Sequence, residues 1–113
     1  MRELDFLDRR SRRTLLLSGA TLRRHRDVVD RWVEEGYGLT LVPRLELLGT
    51  SASAHTWVQA LCDTVEEMVR HQHTVVALRA AEDPDLDKVL QALAQRQVEI
   101  PVRPCTSGKE ADP

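Results

Sequence analysis

Leu15, Leu16 and Leu17 stand together in T-L-L-L-S-G-A-T with no polar residue between them. So short an uninterrupted apolar run is the pattern of a strand covered on both faces, as in a parallel sheet with helices above and below. After it the period changes. Leu22, Val28, Val29, Trp32 and Val33 fall along one side of a helix predicted over 22–35, with Thr21 as its N-cap and Gly36 as the left-handed residue that ends it. Gly38 to Val42 reads as a second strand, and Pro43, which has no N–H for a ladder, puts that strand at a sheet edge or at a bulge. An apolar run then resumes over Leu45 to Leu48.

The strongest helical period follows a loop of small and polar residues over Gly49 to Ser53, with Ser51 or Ser53 as the cap. Trp57, Leu61, Val65 and Met68 recur at spacings of four, four and three, with Val58 and Val69 broadening the face, in a helix reaching about Gln72. His73 to Arg79 is a short β-branched strand. Asp83 and Pro84 suit the cap and first turn of a helix through Gln97, whose buried side is Leu86, Val89, Leu90 and Leu93. Val98 to Val102 supplies a fourth strand, stopped by Pro101 and Pro104.

Strand and helix alternate throughout, which predicts an α/β fold: a small three-layer αβα domain with a four-stranded, mostly parallel sheet of Rossmann-like or flavodoxin-like type. Strand order 2-1-3-4 puts the leucine strand at the centre and the Pro43 strand at an edge. The competing arrangement is an α+β, ferredoxin-like sheet in which Leu45 to Leu48 pairs antiparallel. The expected organisation is an N-terminal arm over 1–13, one α/β domain over 14–104 and a flexible tail over 105–113. In the arm, Leu4, Phe6 and Leu7 form a short amphipathic turn that docks on the domain.

Composition adjusts this picture in three ways. At 113 residues the chain is long enough for a core without disulfide staples, and with aromatics at 4% that core is aliphatic. No apolar run approaches the roughly 20 residues of a membrane span, and M-R-E-L-D-F-L-D-R-R carries acids where a signal peptide has its apolar segment, so no membrane partner and a cytoplasmic location are expected. Cys62 and Cys105 form no metal or redox pair, Cys62 being read as a core residue and Cys105 as exposed.

The net charge of −2 conceals an asymmetry: through Arg31, nine arginines against five acids give +4, leaving −6 for the rest. Arg9, Arg10, Arg12 and Arg13, with Arg23, Arg24 and Arg26, form a basic face for nucleic acid or an acidic partner if they converge. Local pairing of Arg23 with Asp27 and Arg26 with Asp30, each at i, i+4, is the plainer expectation.

Candidate chemistry is sparse. In a parallel sheet of this order, ligands bind beyond the strand ends where the order reverses, here between Ser18–Thr21 and Ala80–Asp85. Ser18, Gly19 and Thr21 offer hydroxyls and backbone N–H groups that suit a phosphate or carboxylate. Glu82, Asp83 and Asp85 opposite would repel one. The loop lacks the glycine pattern of a dinucleotide site and the lysine of a P-loop. A receiver-type phosphoacceptor needs an aspartate at the end of the central strand, where Ser18 stands instead. His55 and His71 are too far apart on one helix to share a metal, and His71 with His73 supplies two ligands only. No cofactor and no metal are expected. The function read from these residues is a non-catalytic protein-interaction or assembly module, homodimeric in its simplest form, using Trp57, Val58, Val69 and the arginines. Its rivals are nucleic-acid binding through the arginines and a small phosphate- or nucleotide-binding enzyme domain using the Ser18-Gly19 loop.

Overall fold

Leucines 15 to 17 lie at the centre of a four-stranded, all-parallel sheet, fully buried, in a computed structural model that describes residues 12–105. The strands are β1 (Arg13–Ser18), β2 (Gly38–Val42), β3 (Thr74–Arg79) and β4 (Val102–Pro104), in the order β2-β1-β3-β4. Between them run α1 (Gly19–Arg24), α2 (Arg26–Glu34), a single 3₁₀ turn (Leu45–Leu48), α3 (Ser51–Arg70) and α4 (Pro84–Gln95). The expected αβα architecture and strand order are those of the molecule. Leu45 to Leu48 pairs with nothing, so the antiparallel alternative falls away.

Register explains why β1 needs leucine at three successive positions. Leu16 pairs with Thr40 and Ala77, and on that face it packs with Val58, Leu61, Cys62 and Val65 of α3 and Leu86, Val89 and Leu93 of α4. Leu15 and Leu17 point the other way, against Val76, Leu78, Cys105 and α2's Val28 and Val29. Two crossover helices therefore cover one face, and one bent helix covers the other. Arg96, just past α4, ties the two helices of the fuller face together by bonding Asp63 at 2.7 Å, Glu66 at 3.0 Å and the Gln59 side chain at 2.7 Å.

Several boundaries differ from the sequence reading. The first helix starts at Gly19 rather than Leu22, because the Ser18 hydroxyl, not Thr21, caps it by accepting the Thr21 N–H at 3.2 Å. It also bends at His25, so Arg23 and Asp27 straddle the bend and form no ion pair, while Arg26 and Asp30 sit 3.7 Å apart in exposed positions. Thr50, not Ser51 or Ser53, caps α3. The helices expected to reach Gln72 and Gln97 stop at Arg70 and Gln95. Both glutamines hold the left-handed conformation, with φ of 66° and 65°. Each is closed by paired C-terminal bonds, His73 N–H to Met68 O and Gln72 N–H to Val69 O in one case, Val98 N–H to Leu93 O and Gln97 N–H to Ala94 O in the other. Without a glycine to mark the turn, the stop signal was missing from the sequence.

Gly36 is the position where glycine does mark it. Its φ is +100°, and a Cβ there would fall 2.9 Å from the Arg13 guanidinium, which donates to Glu35 O at 2.7 Å and stacks over the Tyr37 ring at 5.0 Å. Strand β4 begins at Val102, later than the predicted Val98, and accommodates Pro104 because it lies at the sheet edge, where a missing N–H leaves no ladder bond unmade. Cys105 is buried, not exposed: its N–H donates to Arg79 O and carries the side chain under α2. The arm's Leu4, Phe6, Leu7, Arg9 and Arg10 and the tail beyond Cys105 lie outside the described residues.

Candidate functional site

The crevice named by the strand order lies between the ends of β1 and β3, and an aspartate of the chain itself fills it. Strand β1 ends in Ser18 and α1 begins at once, so Ser18 and Thr21, both only 2% exposed, turn their hydroxyls toward the loop that follows β3. Asp83 comes from that loop to cap α4 and is itself 4% exposed. Its Oδ2 accepts from Ser18 Oγ at 3.1 Å and Thr21 Oγ1 at 2.9 Å, while Oδ1 accepts the Leu86 N–H at 3.3 Å. Hydroxyls that suit an anionic ligand are thus already bonded to an internal carboxylate. Gly19 opens α1 between them with ordinary space around it.

The neighbouring acids are committed in the same way. Asp85 accepts the Leu45 N–H at 3.1 Å, pinning the 3₁₀ turn to the start of α4. Asp87 takes two bonds from the Arg79 guanidinium, at 2.8 and 2.9 Å, and these hold its carboxyl below the usual carboxylate range. Arg79 also donates to Ala80 O and Ala81 O, which fixes the loop. Among the described residues no three histidines, cysteines or acids stand close enough together to hold a metal ion. Beneath the crevice, burial pushes the Cys105 thiol up to about 11, with the Asp27 and Asp83 carboxylates adding to the effect. A thiol so protonated is a packing group and not a nucleophile. Burial also raises the Cys62 thiol.

This predicts how the thiols behave. At pH 8 the native protein reacts with a thiol reagent at Cys105 on the order of 100-fold more slowly than the urea-unfolded chain, since that is the ratio of thiolate fractions. Because the folded-state value is raised, the contribution to stability is full below the ordinary thiol value of about 8.5 and disappears as pH climbs through the folded-state value. Stopped-flow labelling of the Cys62→Ala variant checks the first, where equal rates in native and unfolded protein would refute the burial, and urea denaturation of the same variant between about pH 8 and about pH 11 checks the second.

Comparison of the chain with protein-family models, with curated proteins and with solved structures finds no match. The residues alone carry any functional reading.

Among the described residues, the arginines of the expected basic face fall in two groups along the chain. Arg12 and Arg13 sit at the start of β1, whereas Arg23, Arg24 and Arg26 lie beyond its end, with a strand of roughly 16 Å between them at about 3.3 Å per residue. Arg13 is occupied at the Gly36 turn, and Arg12 borders a groove of about 760 Å³ with Asp63, Glu67, His71 and His73. There His71 Nε2 meets Glu67 Oε2 at 2.9 Å.

Trp57, Val58 and Val69 also fail to share a surface. Val58 is in the core, and Trp57 and Val69 are exposed but twelve residues apart, roughly 18 Å along α3 and a third of a turn around it. The buried stripe of α3 is Val58, Leu61, Cys62 and Val65, which turns Trp57 outward.

Apolar exposure gathers instead at β2. Leu39 and Leu41, 40% and 44% exposed, pair with Leu15 and Leu17 and so point to the face covered by α2. Helix α2 packs over β1 and β3 and leaves the β2 side of that face open, with Val33 exposed on the helix itself. The sequence points the other way: the alternation of Leu39-Thr40-Leu41 reads as leucines facing in and threonine facing out, whereas here the leucines lie on the poorly covered face. Thr40 faces the other side, its hydroxyl 2.8 Å from that of Thr14.

Proposed function

We propose that this chain acts by binding, as a non-catalytic protein-interaction or assembly module, and that edge strand β2 with its exposed leucines is where it binds. The observation that carries the reading is the contrast between the two edges of the sheet. Strand β4 is three residues long, is preceded by Pro101, ends in Pro104 and carries Arg103. Short length, proline and charge are the usual protections against another chain adding to a sheet. Strand β2, G-L-T-L-V, is longer and has no proline or charge within its five residues, Pro43 and Arg44 coming only after its last. It offers a row of backbone groups and two half-exposed leucines, a combination that in monomeric proteins is normally covered. The filled crevice at Ser18, Thr21 and Asp83 supports the same reading from the other side, because it leaves little for a phosphate to replace. No helix among the described residues is long and apolar enough to cross a membrane.

Sedimentation velocity at low and high salt, with and without a short nucleic-acid duplex, tests the reading. The expected result is a species heavier than the monomer, or a complex with a protein partner, that persists in about 0.5 M salt and ignores the duplex, since apolar contacts are not screened as phosphate contacts are. A monomer that co-sediments with the duplex at low salt only would overturn it in favour of the arginines.

A further inference from the structure

We infer that the strand completing the β2 edge belongs to a second copy of this chain, paired antiparallel about a two-fold axis at Thr40 to give one continuous eight-stranded sheet. The inference rests on the interaction reading above and names its partner. Three observations on β2 and α2 point to self-pairing.

The first is register. With Thr40 on the axis, Leu39 of each copy lies opposite Leu41 of the other, and Gly38 lies opposite Val42. Opposed residues in an antiparallel pair point to the same face. All four leucines therefore meet on the face that α2 leaves open, with a Val33 from each copy exposed on the flanking helix. Gly38, having no side chain, leaves room beside Val42.

The second is charge. No residue of β2 carries one, so a symmetric pairing opposes no like charges, whereas the same operation on β4 would bring two copies of Arg103 together. The third comes from the helices. Each lies on the leucine side, with Arg23, Arg24 and Arg26 outnumbering Asp27 around the start of α2 and Glu34 and Glu35 outnumbering Arg31 at its end. A two-fold axis perpendicular to the sheet runs α2 antiparallel to its copy across the four leucines and turns the basic end of one toward the acidic end of the other. This is an isologous arrangement, closed at two subunits.

The test uses paired variants read by sedimentation, with far-UV circular dichroism to confirm folding. Wild type is expected to dimerise reversibly, and Leu39→Lys with Leu41→Lys in one chain to weaken the dimer on the order of 100-fold, because four ammonium groups then crowd the axis. Register is read by mixing. Leu39→Lys mixed with Leu41→Glu associates roughly tenfold more tightly than either alone, since the introduced ammonium of one chain then faces the introduced carboxylate of the other, whereas Leu39→Lys mixed with Leu39→Glu gains no such advantage. Amide exchange gives an independent reading: alternate N–H groups of β2 become more protected between about 10 µM and about 500 µM protein, as mass action requires.

A wild-type dimer indifferent to the lysine pair, or a mixture that gains nothing, would overturn this inference and leave the interaction reading standing. A chain that stays monomeric with β2 unprotected at every concentration would overturn it as well. If that monomer also binds the duplex, the broader reading falls with it.

Discussion

Asp83→Ala lowers the unfolding free energy by about 3 kcal/mol, the sum of a lost helix cap and of hydroxyls stranded in the interior. The cap to Leu86 N–H accounts for about 1 kcal/mol of this. The rest follows from Ser18 and Thr21, each 2% exposed, which donate to the same carboxylate oxygen and find no water to replace it. In a domain of this size the midpoint of thermal unfolding falls by roughly 12–24 °C. Urea denaturation measures the loss directly. A cycle with Ser18→Ala and Thr21→Val assigns it: in that background Asp83→Ala costs about 1 kcal/mol, the cap alone. Equal costs in both backgrounds would show that the crevice is not held by these hydroxyls. Asp83→Asn, which keeps one acceptor oxygen, is expected to fall between.

The second large effect lies in the central strand. Leu16→Ala costs about 3–4 kcal/mol, as expected when a fully buried leucine is truncated and rigid neighbours keep part of the cavity open. Its neighbours leave little freedom to collapse, since β2 and β3 fix it laterally and α3 and α4 close over it. Leu41→Ala in the monomer costs under about 1 kcal/mol, because nearly half of that side chain already faces water. Against a total stability of about 5–15 kcal/mol, the first change is severe and the second slight. Denaturant titration of both variants checks the contrast, and comparable losses would mean that Leu41 is far better covered than its 44% exposure implies.

The same contrast bears on the proposed assembly. A leucine that contributes little to the fold of one chain, yet sits on an uncharged, unprotected edge, is free to contribute to assembly. Among the described residues, Ser18 and Thr21 donate to Asp83, Asp87 holds Arg79, and burial raises the Cys105 thiol above its usual value.

By itself the sequence determined the fold class, the strand order and most of the core. Those features are written in local patterns: three contiguous leucines demand cover on both faces, the helical spacing of Leu61 and Val65 demands a packed stripe, though not one that includes Trp57, and Asp83-Pro84 starts a helix by its own chemistry. Helix ends at Gln72 and Gln97 were not legible, because a non-glycine residue accepted the left-handed conformation once the surrounding bonds required it. The candidate site lay further out of reach. Ser18 and Asp83 are 65 residues apart, and that one satisfies the other is a fact of three-dimensional proximity. So is the exposure of Leu39 and Leu41, which follows from the lateral position of α2 over β1 and β3. Periodicity says which residues share a face, but only packing decides how far the covering layer extends, and at β2 it stops one strand short.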